Sequence, residues 1–348
     1  MHYSSLDTGG IDLGVVGIIA NPAASKDIRR LVAQGRVVPD WEKVNTIRRV
    51  MLGLQSVGAT RILGMPDSSN LVTRAADDPN LSLDLELLDM PAFYSEGDTV
   101  KAAGLMAEQG VGCLVTLGGD GTNRAAVVGS KNIPMVAIST GTNNVFPSMV
   151  EGTLAGLAAG MVAEGWVDLA DVAVSSKIMH VYVDGELRDI ALIDVALSKE
   201  RFVASKAIWD IETLFEVFLT RAEPASIGLS SIGARLEAVS MVDEGGLQFG
   251  ISNTDDASFE SCTVMAPIAP GVVPRVSISS WQRMADGERL IIENRDCMVA
   301  LDGERAFSVK KSQVLELEVR RTGPPVIDVG LALHVAARQG LFNRTSGD

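Results

Sequence analysis

Gly118-Gly119-Asp120-Gly121-Thr122 decides the fold of this chain, because a buried strand precedes it and a helix follows it. Residues 112–117 (GCLVTL) are mostly apolar, as is typical of a parallel strand covered on both faces, and residues 122–128 have helical spacing. Glycines let the backbone approach a ligand closely. The N–H groups of such a loop form, with the first helical turn, a concave donor site for phosphate or ribose oxygens. We expect Thr122 or Asn123 to cap the helix.

Asp120 is the unusual member of this loop, since a carboxylate beside an anion site opposes the binding of an anion. Its presence favours a general base for a hydroxyl, or a group that holds Mg²⁺ or ribose hydroxyls. The simpler alternative is a tight turn with a capping aspartate. The chain contains no Walker A sequence and no GxGxxG, so neither a P-loop nor a conventional dinucleotide fold is indicated.

A second polar loop, Thr140-Gly141-Thr142-Asn143-Asn144, follows the next predicted strand at residues 134–140. Ligands in open α/β sheets bind at the carboxyl ends of adjacent strands. The two loops therefore predict one nucleotide site at the same edge of the sheet.

The first half of the chain alternates short apolar runs with helical stretches. This pattern predicts a Rossmann-like parallel sheet with helices on both faces. The predicted strands are 13–20, 61–65, 81–87, 112–117 and 134–140, and the predicted helices are 27–34, 41–57, 98–109, 122–128 and 153–163. We assign residues 1–165 to this α/β nucleotide-binding domain.

After about Trp166 the pattern changes to strands, which predicts a mostly antiparallel β-rich second domain for substrate binding and oligomerisation at 166–325. Two Asp-Gly pairs, Asp184-Gly185 and Asp302-Gly303, predict hairpins. A final helical segment within 326–348 is expected to return to the first domain. The remaining predictions are strands at 172–175, 179–183, 187–195, 225–239, 247–252, 262–266 and 273–280, and one amphipathic helix at 206–221.

Composition excludes several classes of protein. With 30 Lys and Arg against 44 Asp and Glu, the 348-residue chain has a formal net charge of −14, so it lacks the field that would collect nucleic acid or an anionic membrane. Three scattered cysteines and three histidines, without HExxH or GxSxG, indicate no disulfide framework, zinc site or Ser-His-Asp triad. The first apolar run, residues 14–20, is too short to span a bilayer and lacks a basic flank. We therefore expect a cytoplasmic protein.

These features resemble the NAD kinase/diacylglycerol kinase superfamily. The resemblance rests on the GGDGT loop, the Asn21-Pro22 turn after the first strand, and the β-rich second half. Within the superfamily, the runs GIIANPAASKDIRRLV (17–32) and ISTGTNNVFP (138–147) are most similar to the acetoin catabolism protein X branch. The resemblance implies an NAD kinase-like fold and Mg²⁺- and ATP-dependent phosphorylation of a hydroxyl, with a nucleotide and a small molecule as partners. It also implies a homo-oligomer, a dimer or tetramer.

The same resemblance assigns the site. Asp120 is expected to act as the general base, and Glu304 of the Asp302-Gly303-Glu304 turn is a second candidate acid, since lipid kinases of the superfamily place a Glu there. The alternative for that turn is a plain hairpin with Glu304 exposed. The expected nucleotide-binding residues are Asn21, Pro22, Gly118, Gly119, Gly121, Thr122, Asn123, Thr140, Gly141, Thr142, Asn143, Asn144 and Asp194.

Two stretches depart from the NAD kinase pattern. Residues 191–195 (ALIDV) keep the acid of the family Asn-Glu pair as Asp194 but carry Ile193 in place of the Asn. Residues 266–271 (APIAPG) have lost the hydroxyls of the loop that grips the dinucleotide, and a pocket without those partners loses discrimination for a polar ligand. The acceptor is therefore left open between the 2′-hydroxyl of NAD, which would give NADP, and a small polyol or acetoin-related alcohol.

Two function classes remain. The first is a kinase that uses Asp120 as base. The second is a non-catalytic regulator that keeps the nucleotide or NAD cleft without transfer, which the altered residues at 191–195 and 266–271 favour. A lipid kinase is disfavoured because the chain offers no basic or amphipathic membrane-facing stretch.

Overall fold

The computed structural model describes residues 14–24, 34–35, 37–141, 143–199, 211–252, 262–293, 295–303 and 305–343. The strands within these residues are β1 (Val15–Ala20), β2 (Arg61–Gly64), β3 (Asp84–Leu87), β4 (Cys113–Gly118), β5 (Met135–Ser139), β6 (Ala173–Ser175), β7 (Ile178–Val183), β8 (Glu186–Ala191), β9 (Asp194–Ser198), β10 (Leu214–Leu219), β11 (Gly246–Ile251), β12 (Cys262–Met265), β13 (Arg275–Met284), β14 (Arg289–Ile292), β15 (Cys297–Leu301), β16 (Arg305–Val309), β17 (Leu315–Arg320) and β18 (Pro325–Ile327).

The α-helices of the described residues are α1 (Asp40–Ser56), α2 (Leu71–Ala76), α3 (Glu96–Glu108), α4 (Asp120–Ser130), α5 (Gly152–Ala163), α6 (Leu169–Val172), α7 (Leu229–Gly233) and α8 (Val329–Arg338). Two short 3-10 turns cover Ile211–Thr213 and Leu341–Asn343. None of the described helices combines the length and the apolar character that a bilayer crossing requires.

The first sheet has the strand order β3-β2-β1-β4-β5-β18-β6, and the pairs from β3 to β5 are all parallel. The chain moves from β1 toward β3 in one direction and from β4 to β5 in the other. The order therefore reverses between β1 and β4, and the loops that follow these two strands lie on either side of the crevice where ligands bind in such sheets.

Helices cover both faces of this sheet. Side chains of α1, α2, α5 and α8 form one buried cluster with it, and those of α3 and α4 form the other. The chain returns to the sheet at its end, because β18 pairs in parallel with β5 at Val326 and Met135, and α8 places Ala332 and Ala336 in the first cluster.

The second half of the chain forms two antiparallel sheets, β12-β13-β11-β10-β9-β15-β16 and β14-β17-β7-β8. Buried side chains of both sheets, among them Val181, Leu197, Phe218 and Leu317, form one cluster. A parallel α/β domain followed by a mostly antiparallel domain was predicted, and the structure confirms that fold class.

Three predicted elements are wrong. The helix at 206–221 is instead a 3-10 turn and β10 in its described part, because residues 214–219 pair with β9 on one side and β11 on the other. Residues 206–210 lie outside the described residues. The strand at 225–239 is a turn, the short helix α7 and one bridge at Val239. The strand at 187–195 breaks between β8 and β9. The predicted helix at 27–34 lies outside the described residues, apart from Gln34.

Glycines set the distance between α1 and α5. A Cβ on Gly53 would lie 2.5 Å from the carbonyl oxygen of Thr153, and a Cβ on Gly156 would meet the carbonyl oxygen of Val50. The backbones of the two helices are therefore in direct contact at these points, and any larger residue must separate them.

Both predicted Asp-Gly hairpin turns are confirmed, joining β7 to β8 and β15 to β16. In each, the Asp and the Gly both have positive φ, 54° and 82° at Asp184-Gly185 and 48° and 66° at Asp302-Gly303, in the left-handed region that Gly and Asp tolerate. Asp184 is exposed, whereas Asp302 is buried. The same local sequence therefore serves two different environments.

The Asp302 carboxylate joins three parts of the molecule. It accepts hydrogen bonds from the backbone N–H groups of Leu192, Ile193 and Asp194, which form the corner between β8 and β9. Its Oδ2 also lies 3.8 Å from Nε of Arg124 on α4. Burial raises the pKa of the Asp302 carboxyl, while Arg124 and the backbone donors oppose that rise by stabilising the charged form.

A second set of ion pairs spans the same boundary between the domains. Glu96 at the start of α3 lies 2.9 Å from Arg124 and 3.3 Å from Arg305. Arg305 in turn lies 3.1 Å from Asp189 on β8. Because Arg124 is only 1% exposed, its pairs are sheltered from solvent, and they hold α3 and α4 against the second domain.

We expect Gly156→Ala to lower the free energy of unfolding by about 1–3 kcal/mol, because the added methyl would overpack the contact between α1 and α5. Thermal or urea unfolding measures this effect. The matched control is Gly104→Ala in α3, where the nearest atom to the new Cβ is 3.9 Å away. Better helix propensity should there raise stability by up to about 1 kcal/mol. Equal effects in the two helices would contradict the packing argument.

We expect Asp302→Asn to lower the free energy of unfolding by about 1–3 kcal/mol, because it weakens a buried acceptor of three backbone N–H groups and leaves Arg124 with Glu96 as its nearby carboxylate. Asp184→Asn removes the same charge from the other Asp-Gly turn, where the side chain is exposed and bonded to Gln313 and Val314, and should lower the urea midpoint by much less. If the two variants unfold alike, the buried ion pair is not what fixes the second turn.

The candidate active cleft

The glycine loop joins β4 to α4 at the carboxyl edge of the first sheet. The helix begins at Asp120, and Gly119 occupies the N-cap position. The prediction that Thr122 or Asn123 caps this helix is therefore wrong, since both residues already lie within it. Their side chains make other contacts: Thr122 accepts from Asn21, and Asn123 bonds to Thr116 and to the carbonyl of Gly119.

The Asp120 carboxylate is fixed by the neighbouring loop. The N–H of Val145 lies 3.1 Å from each carboxylate oxygen, and the N–H of Phe146 donates to Oδ1 at 2.8 Å. Such donors stabilise an ionised carboxylate and set its orientation. Asp120 thus connects the start of α4 to the loop that follows β5.

Close packing within the site explains its glycines. A Cβ on Gly118 would lie 2.5 Å from Cβ of Thr122. A Cβ on Gly119 would lie 3.0 Å from Oδ1 of Asn144, and one on Gly141 would lie 2.9 Å from Nδ2 of the same residue. None of the three glycines has a positive φ. They therefore make room for side chains of the two loops, and the Asn144 amide fills the slot between Gly119 and Gly141.

The loop after β1 is tied to the glycine loop across the point where the strand order reverses. Nδ2 of Asn21 donates to Oγ1 of Thr122 at 2.9 Å, while Oδ1 of Asn21 accepts from the N–H of Ala23. Asn21 and Pro22 thus lie beside the glycine loop, as the motif predicts, and the contact from Asn21 fixes the relative position of the two loops.

Lys43 is a supporting residue that the sequence analysis missed. Its side chain is fully buried, and its Nζ donates to the carbonyl oxygens of Asn21, Pro22 and Ala24 at 3.3, 2.8 and 2.7 Å. The ammonium group therefore stabilises the Asn21-Pro22 turn. A signal was present, because Lys43 falls on the apolar stripe of α1 with Ile47 and Val50.

Residues of both domains line one cleft at this edge. The first domain contributes Asp120, Asn143 and Val145. From the second domain come Asp194, Ile211, Ile227, Gly228, Leu229, Ser230, Ile268, Ala269, Asp302 and Gly303. The structure therefore brings together Asp120, Asn143 and Asp194, three of the residues that the sequence predicted for one site.

Other predicted residues lie elsewhere or outside the described residues. Thr140 and Gly141 line a separate pocket between α1 and the ends of β4 and β5. Asn123 is fully buried beneath the loop, where it supports the backbone. Thr142 and Glu304 lie outside the described residues.

The carboxylates that line the cleft determine whether it could hold a metal ion. Mg²⁺ is usually held by one or two carboxylates together with substrate phosphates. Asp120 and Asp194 fit that requirement, whereas the Asp302 carboxylate is fully buried against backbone N–H groups. Within the described parts of the chain, no group of three or more His, Cys, Asp or Glu side chains could hold a metal by itself. The residues thus fit a cation that is shared with a nucleotide.

Comparison with known proteins identifies the family of this chain. The model of the ATP-NAD kinase N-terminal domain matches residues 16–165, and the model of the acetoin catabolism protein X C-terminal domain matches residues 177–322. A diacylglycerol kinase structure from Bacillus anthracis is 15% identical, with a TM-score of 0.44 over 91% of this chain and 97% of that chain. Acetoin catabolism protein X from Cupriavidus necator is 37% identical over 340 residues, covering 94% of each protein. The chain therefore belongs to the acetoin catabolism protein X family, and the predicted resemblance to the NAD kinase-like superfamily is confirmed.

Proposed function

We propose that this protein is an ATP-dependent phosphotransferase that phosphorylates a hydroxyl group of a small molecule, with Asp120 as general base. The observation that carries the proposal is the position of Asp120. Its carboxylate starts the helix that follows the glycine loop and lines the cleft between the two domains. A kinase-like superfamily is supported independently, because the domain that carries Asp120 matches the ATP-NAD kinase model.

In the proposed step, one bond to phosphorus forms and one breaks. The acceptor oxygen forms a bond to the γ-phosphorus of ATP, the bond from that phosphorus to the bridging oxygen of ADP breaks, and the hydroxyl proton passes to Asp120 and then to water. The N–H groups of Val145 and Phe146 hold the carboxylate in one orientation during this transfer. A nucleotide bound here would place its phosphates near the N-terminus of α4, where backbone N–H groups favour anions.

Mg²⁺ is the cofactor that this proposal includes. Asp194 would hold it together with the nucleotide phosphates, and it would supply neutralisation of the charge on those phosphates. The work of the protein is then mostly positioning: Asn144 fixes the two loops together, and Asn21 fixes the first loop against Thr122.

The acceptor follows from the family and from the cleft. The relative from Cupriavidus necator is named for acetoin catabolism, which favours an acetoin-related alcohol or small polyol. The 2′-hydroxyl of NAD is the other acceptor that the sequence leaves open. Ile193 replaces the Asn of the NAD kinase pair, and its side chain is buried in the core against α3 and α4, so it offers no hydrogen bond to a dinucleotide.

A non-catalytic nucleotide-binding regulator is the second candidate. It is favoured by one observation: both oxygens of Asp120 accept backbone N–H groups. A carboxylate that only braces the loop after β5 would make these same bonds. The two candidates therefore assign different roles to one side chain, and they can be separated by changing its charge without changing its shape.

We expect Asp120→Asn to slow phosphoryl transfer by at least about a hundredfold, because an amide cannot take the hydroxyl proton. Nucleotide affinity should stay the same or rise slightly, since the change removes a negative charge near the phosphates. To measure transfer, the protein is incubated with ATP, Mg²⁺ and a panel of acceptors that includes NAD, acetoin and polyols. Phosphorylated products are then identified by mass. Nucleotide affinity is measured by calorimetry.

Asp67→Asn is the matched control for this substitution. Asp67 also accepts two backbone N–H groups at a helix start, from Ser69 and Leu71, but it is not among the residues that line the cleft. Its replacement should leave transfer unchanged. Full turnover in Asp120→Asn would show that Asp120 is not the general base. A wild-type protein that binds nucleotide and transfers to no acceptor would establish the regulator.

A further inference from the structure

We propose that the cleft accepts a short, uncharged aliphatic alcohol, in preference to a polyol, a hydroxy acid or a dinucleotide. The proposal rests on the proposed function for its chemistry, but it concerns the walls of the cleft and not the transfer step. The lining is uneven: the second domain contributes five apolar side chains, while Asp120 of the first domain and Asp194 of the second contribute carboxylates.

The apolar wall belongs to the second domain. It consists of side chains from the 3-10 turn before β10, from the turn and first residue of α7, and from the loop after β12, namely Ile211, Ile227, Leu229, Ile268 and Ala269. Methyl groups of a ligand gain free energy against such a wall, whereas hydroxyl groups lose their water without finding a partner.

The polar groups of this wall are already engaged within the protein. The Ser230 hydroxyl donates to the carbonyl of Arg221 at 2.9 Å and accepts from the N–H of Glu223 at 3.0 Å. The N–H of Gly228 donates to the carbonyl of Pro267 at 2.9 Å. To donate a hydrogen bond to a ligand, either group would have to break an existing one.

Two carboxylates of the lining, one from each domain, determine which charge a ligand can carry and where its hydroxyl can bind. Asp120 and Asp194 both line the cleft, and carboxylates accept hydrogen bonds from hydroxyl groups while they repel ligand anions. A hydroxy acid or a dinucleotide would bring its own negative charge to these two carboxylates. An uncharged alcohol can instead place its hydroxyl toward Asp120 and its carbon chain against the isoleucines.

The space also limits the ligand. The cavity between the two walls measures about 70 Å³. The space between these side chains therefore favours a small acceptor.

Three four-carbon compounds test the proposal, because they share a central diol and differ only in their ends. Butane-2,3-diol has methyl ends, erythritol has hydroxymethyl ends, and tartrate has carboxylate ends. Binding to the full-length protein is followed by ligand-observed NMR without nucleotide, and transfer is followed with ATP and Mg²⁺. We expect the diol to bind, and its kcat/KM to exceed that of erythritol and of tartrate by at least about tenfold.

Variants of the wall complete the test. Ile268→Thr and Ile227→Asn should each reduce binding and kcat/KM of the diol by about tenfold and narrow its advantage over erythritol. Ile291→Asn makes the same change on the exposed face of β14, where Ile291 is 72% exposed, and should change neither. Ile268→Val, which removes only one methylene, provides a second, conservative variant if a polar residue prevents folding, and should cause a smaller loss of the same kind.

The outcomes separate this proposal from the proposed function. Diol binding that responds to Ile268→Thr, without transfer to any acceptor, supports the apolar acceptor wall and overturns the kinase. Transfer that prefers erythritol, tartrate or NAD supports the kinase and overturns the acceptor class. Absence of diol binding, or wall variants that behave like Ile291→Asn, also overturns the acceptor class.

Discussion

The Asp302 carboxylate is buried at the boundary between the two domains, where it accepts three backbone N–H groups from the corner between β8 and β9. A buried carboxylate is costly unless it is bonded and paired, and here Arg124 on α4 supplies the opposing charge. The pair therefore fixes the second domain to the helix that carries Asp120. Asp194 belongs to the same corner, so its place in the cleft depends on the same carboxylate.

The parts of the fold that the sequence predicted are those determined by local pattern. β1, β4 and β5 are continuous apolar runs, and the strand–GGDGT–helix sequence leaves little alternative to a parallel sheet. The two Asp-Gly turns are likewise specified by residues that tolerate positive φ. In contrast, β10 was predicted as a helix, because Leu214, Val217 and Phe218 satisfy helical spacing as well as strand pairing. Only its neighbours β9 and β11 decide between the two.

The sequence predicted the motifs of the site but not the buried residues that hold those motifs in place. Asp120, Asn143 and Asp194 lie in one cleft, but the sequence does not show that Lys43 holds the Asn21-Pro22 turn or that Arg124 pairs with Asp302. Both are charged residues in buried positions, and their partners are distant in sequence. The glycines are informative in a different way: Gly119 and Gly141 suggested close approach by a ligand, whereas in the structure they accommodate the Asn144 amide.

The two domains contribute different parts of the cleft. Asp120, the glycine loop and the loop after β5 are tied together by Val145, Phe146 and Asn144, all within the first domain. The apolar wall comes from the second domain, on elements that make none of those bonds. Residues 266–271 can therefore lose the hydroxyls of the NAD kinase pattern without disturbing the carboxylate or the loops that orient it. The GGDGT loop can thus be kept while the apolar residues of the cleft vary, because the contacts that orient Asp120 lie within the first domain.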